Sequence, residues 1–424
     1  MTVVSPVPVD TVAADLDAVD LTDPATFLDN DLPELWRRFR THSPVHRHPG
    51  KGGKPEFWVV SRYADVVAAY KDNQSFVSES GNVIDTLLYG GDSAAGKLLA
   101  VTDGARHRAL RTLLLKAFTP RRLQPVVDLV RQRTRRLVAR AVAAEEVDFA
   151  HEVADRIPIA TICDLLGIPA EDHDRMLALT KAVLSADDDQ QSADDAWEAR
   201  NEILLYFAEL AEHKRRHPGD DALSLLATAE VDGAPLTDEE VILNGYGLIV
   251  AGDETSRLTT IGGLRTLVDH PDQWAALREG RVTIESAVEE LLRYVAPTMH
   301  FGRRAAVDTV IGGQPIAKGD IVTLWNASAN LDEAVFPAPE VFDLARTPNR
   351  HVAFGFGPHF CLGAYLGRME IAAMFESLRA AVVQVELTGT PNPIRSTLLS
   401  GFSSLPVRFT PDVAGLAALR RADD

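Results

Sequence analysis

Ten residues near the end of the chain, Phe354-Gly355-Phe356-Gly357-Pro358-His359-Phe360-Cys361-Leu362-Gly363, constrain its fold more than any other stretch. Glycines at 355 and 357 accept backbone angles that bulkier residues resist, so the loop can turn tightly and bring its amides toward the cysteine sulfur. Apolar residues then recur at helical spacing over 362–378. That predicts a helix beginning beside Cys361, with its dipole favouring a thiolate there. The second cysteine, Cys163, lies in the apolar run 157–168 and reads as a core residue.

A thiolate presented from a tight loop suits iron, and Cys361 reads as an axial haem ligand, with Phe354, Gly355, His359 and Gly363 completing the loop motif. A second region bears on the same chemistry. Residues 237–270 predict a long helix opened by a capping box, Thr237 with Glu240, and closed before Pro271. At its centre, Ala251-Gly252-Asp253-Glu254-Thr255-Ser256 sets a helix-weakening glycine beside acids and an alcohol, which local stability alone does not favour. A ligand crossing the backbone at Ala251 and Gly252 explains the choice: Gly252 leaves space for a small molecule such as dioxygen, and Glu254 with Thr255 relays protons to it. On a merely amphipathic helix, Asp253 and Glu254 face solvent instead.

Glu290 and Arg293 stand at helical i, i+3 spacing and can form an ion pair, which Arg346 can extend into a buried network that supports the cysteine loop. Several basic side chains suit a dianion such as the haem propionates. His107 and Arg111 share a helix face at i, i+4, and Arg303 and His359 add further charge-assisted donors.

The 424 residues are 46% hydrophobic, enough for a large core, and a formal net charge of −18 argues against a nucleic-acid partner. Arginines concentrate over 106–140, whereas acids cluster in the first 30 residues and at Asp187-Asp188-Asp189, so one basic face can meet an acidic protein. The start of the chain lacks the basic and apolar segments of a signal peptide, two cysteines make no disulfide framework, and no apolar run approaches the roughly 18 residues of a membrane span. A cytoplasmic protein with no membrane partner is expected. A hairpin is predicted from Pro44, turning at 50–54 into a strand at 57–60, followed by helices over 64–296 and strand-like pieces at 307–323 and 382–409. The expectation is a mainly α fold with a small β portion, one domain over 1–424, with 1–20 a loosely ordered tail and 413–424 a C-terminal tail.

Together these residues resemble the cytochrome P-450 haem-thiolate monooxygenases of the soluble bacterial type, from Trp58-Val59-Val60-Ser61-Arg62-Tyr63 to Leu405-Pro406-Val407-Arg408-Phe409. The resemblance implies a triangular helical prism with haem b held at Cys361, the propionates at His107, Arg111, Arg303 and His359, and dioxygen as co-substrate at the 251–255 segment. Glu254 and Thr255 are then the catalytic pair, and Glu290 with Arg293 the structural pair. Asp253 departs from many relatives and is placed to tune proton access; Leu331 and Gly367 are further departures. No flavin- or nicotinamide-binding segment follows the loop, so electrons are expected from NAD(P)H through a ferredoxin reductase and a ferredoxin docking near Arg106, Arg108 and the arginines from Arg111 to Arg122.

Substrate contacts are expected from the loop 77–99, the segment 297–301, Leu248 and the turn 399–405. Val83, Leu87, Leu88, Leu248, Thr298, Met299 and Phe402 describe a hydrophobic pocket, with Asn82 and His300 as further polar anchors. The acidic lid around 184–197 carries no readable preference. These features point to hydroxylation or epoxidation of a hydrophobic secondary-metabolite scaffold, against the alternatives of a lipid or sterol, a carrier-protein-tethered aminoacyl group, or a non-catalytic docking module.

Overall fold

Glycines 50, 52 and 53, all at positive φ, turn the chain between strands β1 (Val45–His48) and β2 (Phe57–Val60), which pair antiparallel with Val45 opposite Val60. The computed structural model describes residues 15–184 and 193–421. After the hairpin come helix α1 (Tyr63–Lys71), strand β3 (Phe76–Val77), helices α2 (Gly104–Leu115) and α3 (Pro120–Ala144), strand β4 (Glu146–Asp148), and helices α4 (Arg156–Leu166), α5 (His173–Leu184) and α6 (Ala193–Arg216). The second half contains α7 (Asp238–Asp269), α8 (Ile284–Val295), β5 (His300–Ala305), β6 (Ile321–Trp325), α9 (Ala364–Ala381), β7 (Val382–Leu387), β8 (Pro406–Pro411) and α10 (Val413–Arg421).

The larger sheet has the order β1-β2-β6-β5-β3, with β6 parallel to β2 and antiparallel to β5. A second sheet, β7-β8-β4, ties the C-terminal strands to the end of α3. Both sheets therefore join distant parts of the chain, as the strand pattern at its two ends suggested.

Helix α7 is the spine. Its capping box forms as the sequence predicts: Glu240 N donates to Thr237 Oγ1 at 3.2 Å, and Thr237 N donates to a Glu240 carboxylate oxygen at 3.0 Å. One side of α7 packs Ile261 and Leu264 against Leu291 of α8 and Phe375 of α9; near its start, Val241 and Ile249 join Met176 of α5 and Phe207 of α6 in a second cluster. Such extensive burial, more than helix propensity, stabilises a helix of this length.

Helix extends into both segments expected as tails. Residues 15–18 are helical and Leu16 is buried beneath Trp36 and Phe39, while residues 413–421 form α10, whose Leu419 joins the main core. A few well-spaced apolar residues suffice to dock each end, a signal too short to register as a helical period. Residues 185–192, including Asp187-Asp188-Asp189, lie outside the described residues.

The Glu290–Arg293 pair is wholly buried. Arg293 donates to the Glu290 carboxylate from Nε at 2.8 Å and Nη2 at 2.7 Å, and from Nη1 to the carbonyls of Asn330 and Pro339. Arg346 Nε lies 3.2 Å from both Glu290 oxygens, and Asn349 Nδ2 and the Asp343 amide add bonds of 3.0 Å each. Removing that carboxylate strands two guanidinium groups in the interior. Glu290→Ala is expected to lower stability in urea denaturation by about 3–5 kcal/mol, whereas Arg346→Ala, which leaves the Glu290–Arg293 pair intact, should cost less.

Candidate active site

The loop at 354–363 turns where the sequence places its glycines. Gly355 and Gly357 adopt φ of +68° and +70°, and a Cβ on Gly357 would lie 2.5 Å from the Tyr70 carbonyl oxygen at the end of α1. The Cys361 amide donates to Phe354 O at 2.9 Å, and the Gly363 amide donates to the Cys361 sulfur. Helix α9 begins only at Ala364, so Cys361 stands ahead of its first turn rather than at its N-terminus. The Gly363 amide, rather than the first turn of α9, therefore faces the sulfur. Burial pushes the thiol up, and the Gly363 amide, Arg111 and Arg368 pull against it.

Phe354 is clamped from one side by Arg368, whose guanidinium lies 4.5 Å from the ring centre. Arg368 donates to Glu289 from Nε at 2.5 Å and Nη2 at 2.9 Å, and His351 Nε2 lies 3.1 Å from the same carboxylate. Burial would raise Glu289, but the hydrogen bonds from Arg368 and His351 hold it at about 2. The sequence reading passed over Glu289 and His351 because an acid on a helix and a histidine in a loop carry no pattern until the fold joins them.

Cys361 opens onto a cavity of about 410 Å³ bounded by α7, the loop and the segments around 82, 98–100, 297–301 and 398–399. Its basic residues gather at one end. His107 and Arg111 project from α2, Arg303 from β5 and His359 from the loop; the His107 and His359 ring centres are 4.1 Å apart. Burial, with His359 and Arg111 nearby, depresses His107 to about 4, and burial lowers His359 as well, opposed by Asp103. Asp103, just ahead of α2, accepts from the Ser78 and Glu79 amides at 2.6 and 2.9 Å and sits 3.1 Å from His359 Nε2. Burial favours its protonation, yet His359 and the two amides keep it below the ordinary carboxylate range.

This end of the cavity is built for an anion. Arg303 is buried over the Tyr70 ring, and its recorded hydrogen bond goes to the neighbouring Gly302 carbonyl rather than to a carboxylate. His107 Nε2 is buried without a partner. Among the described residues no cluster of three or more His, Cys, Asp or Glu side chains is arranged to hold a bare metal ion. Cys361 offers a single thiolate, and Arg111 and Arg303 with the His107 and His359 ring nitrogens fit the propionates of a porphyrin, which would bring the remaining ligands of an iron.

Ala251, Glu254, Thr255 and Ser256 of α7 line the cavity, but Gly252 does not. A Cβ at Gly252 would lie 2.8 Å from Ile162 Cγ1, so this glycine lets α4 pack closely on α7 instead of making room for a ligand. Glu254 is not solvent-facing. It pairs with Arg257, which donates from Nε at 3.1 Å and also pairs with Asp155; Asp155 in turn binds Lys181 at 2.6 Å. Asp253 is fully buried on the opposite face, toward α5. Beneath α7, Glu370 of α9 bonds Ser256 and Thr161; burial lifts it to about 7 against those two hydrogen bonds.

Of the expected substrate residues, Val83, Leu248, Thr298 and Asn82 line the cavity. Leu87, Leu88 and Met299 do not: they pack with Trp36 and Trp325 in the core behind that wall. Phe402 turns into the main core, and His300 stacks on Trp325 with ring centres 4.5 Å apart. Alternate residues of an extended segment face opposite sides, and the sequence did not reveal which side was the cavity. Leu98, Ala100, Val250, Leu398 and Thr259 complete the wall. The Asn244 amide is already used by Leu99 N and by the Lys97 and Glu240 carbonyls.

A family model described as Cytochrome P450 matches residues 170–406. The chain is 43% identical to cytochrome P450 NovI of Streptomyces niveus over 94% of its length and 98% of that relative, and 33% identical to linalool 8-monooxygenase of Pseudomonas putida over 92% and 99%. Among solved structures, that of P450 OxyD, involved in the biosynthesis of vancomycin-type antibiotics, superimposes with a TM-score of 0.85 at 32% identity, covering 93% of this chain and 100% of that one.

Two substitutions test the local accounts. Gly252→Val should lower stability by about 1–3 kcal/mol through overpacking against Ile162, as read by chemical denaturation. Because Glu370 titrates higher when folded than the ordinary 4.5, it withdraws stability as pH rises from there to about 7. Glu370→Gln should therefore gain in thermal midpoint over the wild type across that window and hold a constant lead above it.

Proposed function

The chain belongs to the cytochrome P450 family and is a monooxygenase of that family; on this footing we propose that it hydroxylates or epoxidises a hydrophobic secondary-metabolite scaffold, using electrons from a ferredoxin. The observation that carries the reading is the joint placement of Cys361, the Arg111, Arg303, His107 and His359 donors and the Glu254-Thr255 pair around one largely apolar cavity. Haem bound at Cys361, with its propionates at His107, Arg111, Arg303 and His359, supplies the oxygen-activating chemistry.

The remaining roles belong to this chain's own side chains. Thr255 presents a hydroxyl to the cavity from mid-helix, where it can hydrogen-bond a small polar ligand and pass on a proton. Glu254 also reaches the cavity, while its bonds to Arg257 link it through Asp155 to Lys181 and the half-exposed His151. That charged row holds Glu254 in place beside Thr255, where its carboxyl can exchange a proton with a group in the cavity. Burial raises the Cys361 thiol, and the Gly363 amide, Arg111 and Arg368 pull it back toward the thiolate, while the cavity walls are mostly apolar.

The wall supports a hydrophobic substrate with few polar groups. Leu98, Leu248, Val250 and Leu398 dominate it, and Asn82, Tyr246 and Thr298 are among the polar side chains that can orient a ligand. The role stated for OxyD favours a natural-product scaffold, free or tethered to a carrier protein. For the electron donor, Arg108, Lys116, Arg121 and Arg122 are exposed and offer a basic face to an acidic ferredoxin. Arg106 is a poorer candidate than the sequence suggested, since it pairs with Glu240 and Asp232.

The carbon monoxide difference spectrum of the reduced protein should show the strongly red-shifted Soret band of thiolate ligation, and Cys361→Ala should abolish it; an unshifted band in the wild type would overturn the assignment. With a turned-over substrate, Thr255→Ala should reduce product formed per electron pair consumed by about tenfold or more. Unchanged coupling would remove Thr255 from the reaction.

A further inference from the structure

Two tyrosines at α6 each carry an arginine over the ring, and the pairs differ in what completes them. The guanidinium of Arg175 on α5 lies 5.7 Å from the centre of the Tyr206 ring, and both members are satisfied by acids: Arg175 pairs with Glu202 at 2.7 Å, and the Tyr206 hydroxyl donates to Asp172 at 2.7 Å. Arg200 of α6 lies 5.6 Å from the centre of the Tyr246 ring on α7, but no carboxylate closes this second pair. Among the described residues Arg200 makes no ion pair and no hydrogen bond, and the Tyr246 hydroxyl makes no hydrogen bond.

Tyr246 lines the cavity, and Arg200 stands just behind it with part of its surface open to water. Their place is remote from Cys361 and the residues suited to propionates. Tyr246 precedes Thr255 by nine residues on α7, which at about 1.5 Å per residue sets the two about 13 Å apart along the helix axis. The cavity-lining residues that follow Tyr246, namely Gly247, Leu248, Val250 and Ala251, are apolar. The acid that faces this end is Asp92, whose Oδ1 accepts the Ala94 amide at 2.8 Å. Burial raises the Tyr246 phenol, with Asp92 adding to the effect and Arg200 opposing it, so the group stays an O–H donor.

A guanidinium and a phenol without a protein acceptor are donors matched to one oxyanion, the partner that Glu202 and Asp172 supply to the first pair. We propose that Arg200 and Tyr246 form an anion subsite at the far end of the cavity, and that the substrate is an amphiphile: an apolar body lying along Leu248 and Val250, with a carboxylate or phosphate on the end remote from Thr255. Arg200 is then a specificity-determining residue, which selects the acid over its neutral derivative and sets which end of the molecule points toward Cys361. The inference rests on the cavity being the ligand site proposed above.

Isothermal titration calorimetry on the holoenzyme reads the subsite with three probes of one chain length: dodecanoate, dodecyl phosphate and methyl dodecanoate. At low ionic strength the wild type should bind at least one of the anions about tenfold or more tighter than the neutral ester, the gap expected of a hydrogen bond to a charged group. Added salt should narrow that gap. Tighter binding of dodecanoate assigns the subsite to a free acid, and tighter binding of dodecyl phosphate to a phosphate-bearing substrate. Arg200→Gln should bring both anions down to the affinity of the ester while leaving the ester's own affinity as it was, and Tyr246→Phe should narrow the gap. Equal binding of acid and ester by the wild type, or a full gap persisting in Arg200→Gln, would overturn the subsite; an unchanged gap in Tyr246→Phe would remove the phenol from it. If none of the three probes binds while phenylimidazole, a ligand of haem iron, still shifts the haem spectrum, the subsite is overturned and the haem cavity stands. Failure of phenylimidazole as well would overturn the cavity reading and the subsite with it.

Discussion

The Glu290 carboxylate is the point on which the site depends. Two ionised arginines and a carboxylate in a dry interior are costly unless each lone pair and proton is matched, and here they are matched almost completely. The match fixes distant chain segments. Arg293 reaches the Asn330 carbonyl, Asn330 Oδ1 in turn accepts the Val352 amide at 2.8 Å, and Val352 leads directly into the loop that carries Cys361. The cysteine is thus located by hydrogen bonds that begin on α8, more than sixty residues earlier, and by the Glu289–Arg368–His351 clamp on the adjoining face.

Electrostatics divides the cavity into unlike ends. At one, buried Arg303 and His107 and the partly buried His359 lie around Asp103, which also fixes the chain at Ser78 and Glu79 just before the Val83 wall. The residues suited to haem propionates and the start of the substrate-facing loop therefore share one carboxylate. At the other end aliphatic side chains predominate, so affinity there comes from apolar burial and orientation from the few polar groups. Helix α7 contributes to both environments by the period of its side chains: Ala251, Glu254 and Thr255 face the cavity, while Gly252 and Asp253 face α4 and α5.

That alternation marks where the sequence was legible and where it was not. The loop glycines, the capping box of α7, the Glu290–Arg293 spacing and the hairpin at 45–60 are local patterns, and each has a physical meaning within a few residues. Gly252 was misread because a weak helix former beside an acid and an alcohol suggests a ligand, while its actual neighbour, Ile162, is ninety residues away in the chain. Leu87, Leu88, Met299 and Phe402 were misassigned for a related reason. Hydrophobicity tells a side chain to leave water, but a protein core and a ligand cavity satisfy that requirement equally.

The sequence by itself determined the chemistry that can be offered: a cysteine in a glycine-turned loop, basic residues for a dianion, and an acid-alcohol pair on a long capped helix. Those follow from covalent identity and short-range backbone preference. Tertiary structure alone decided which groups share a space and which are kept from it: the Asp103–His359 contact, the Arg257 partner of Glu254, the Thr180 contact of Asp253 and the aliphatic residues that form the cavity wall. Charge and burial act through distance in space, and distance in space is set only when helices far apart in the chain have packed together.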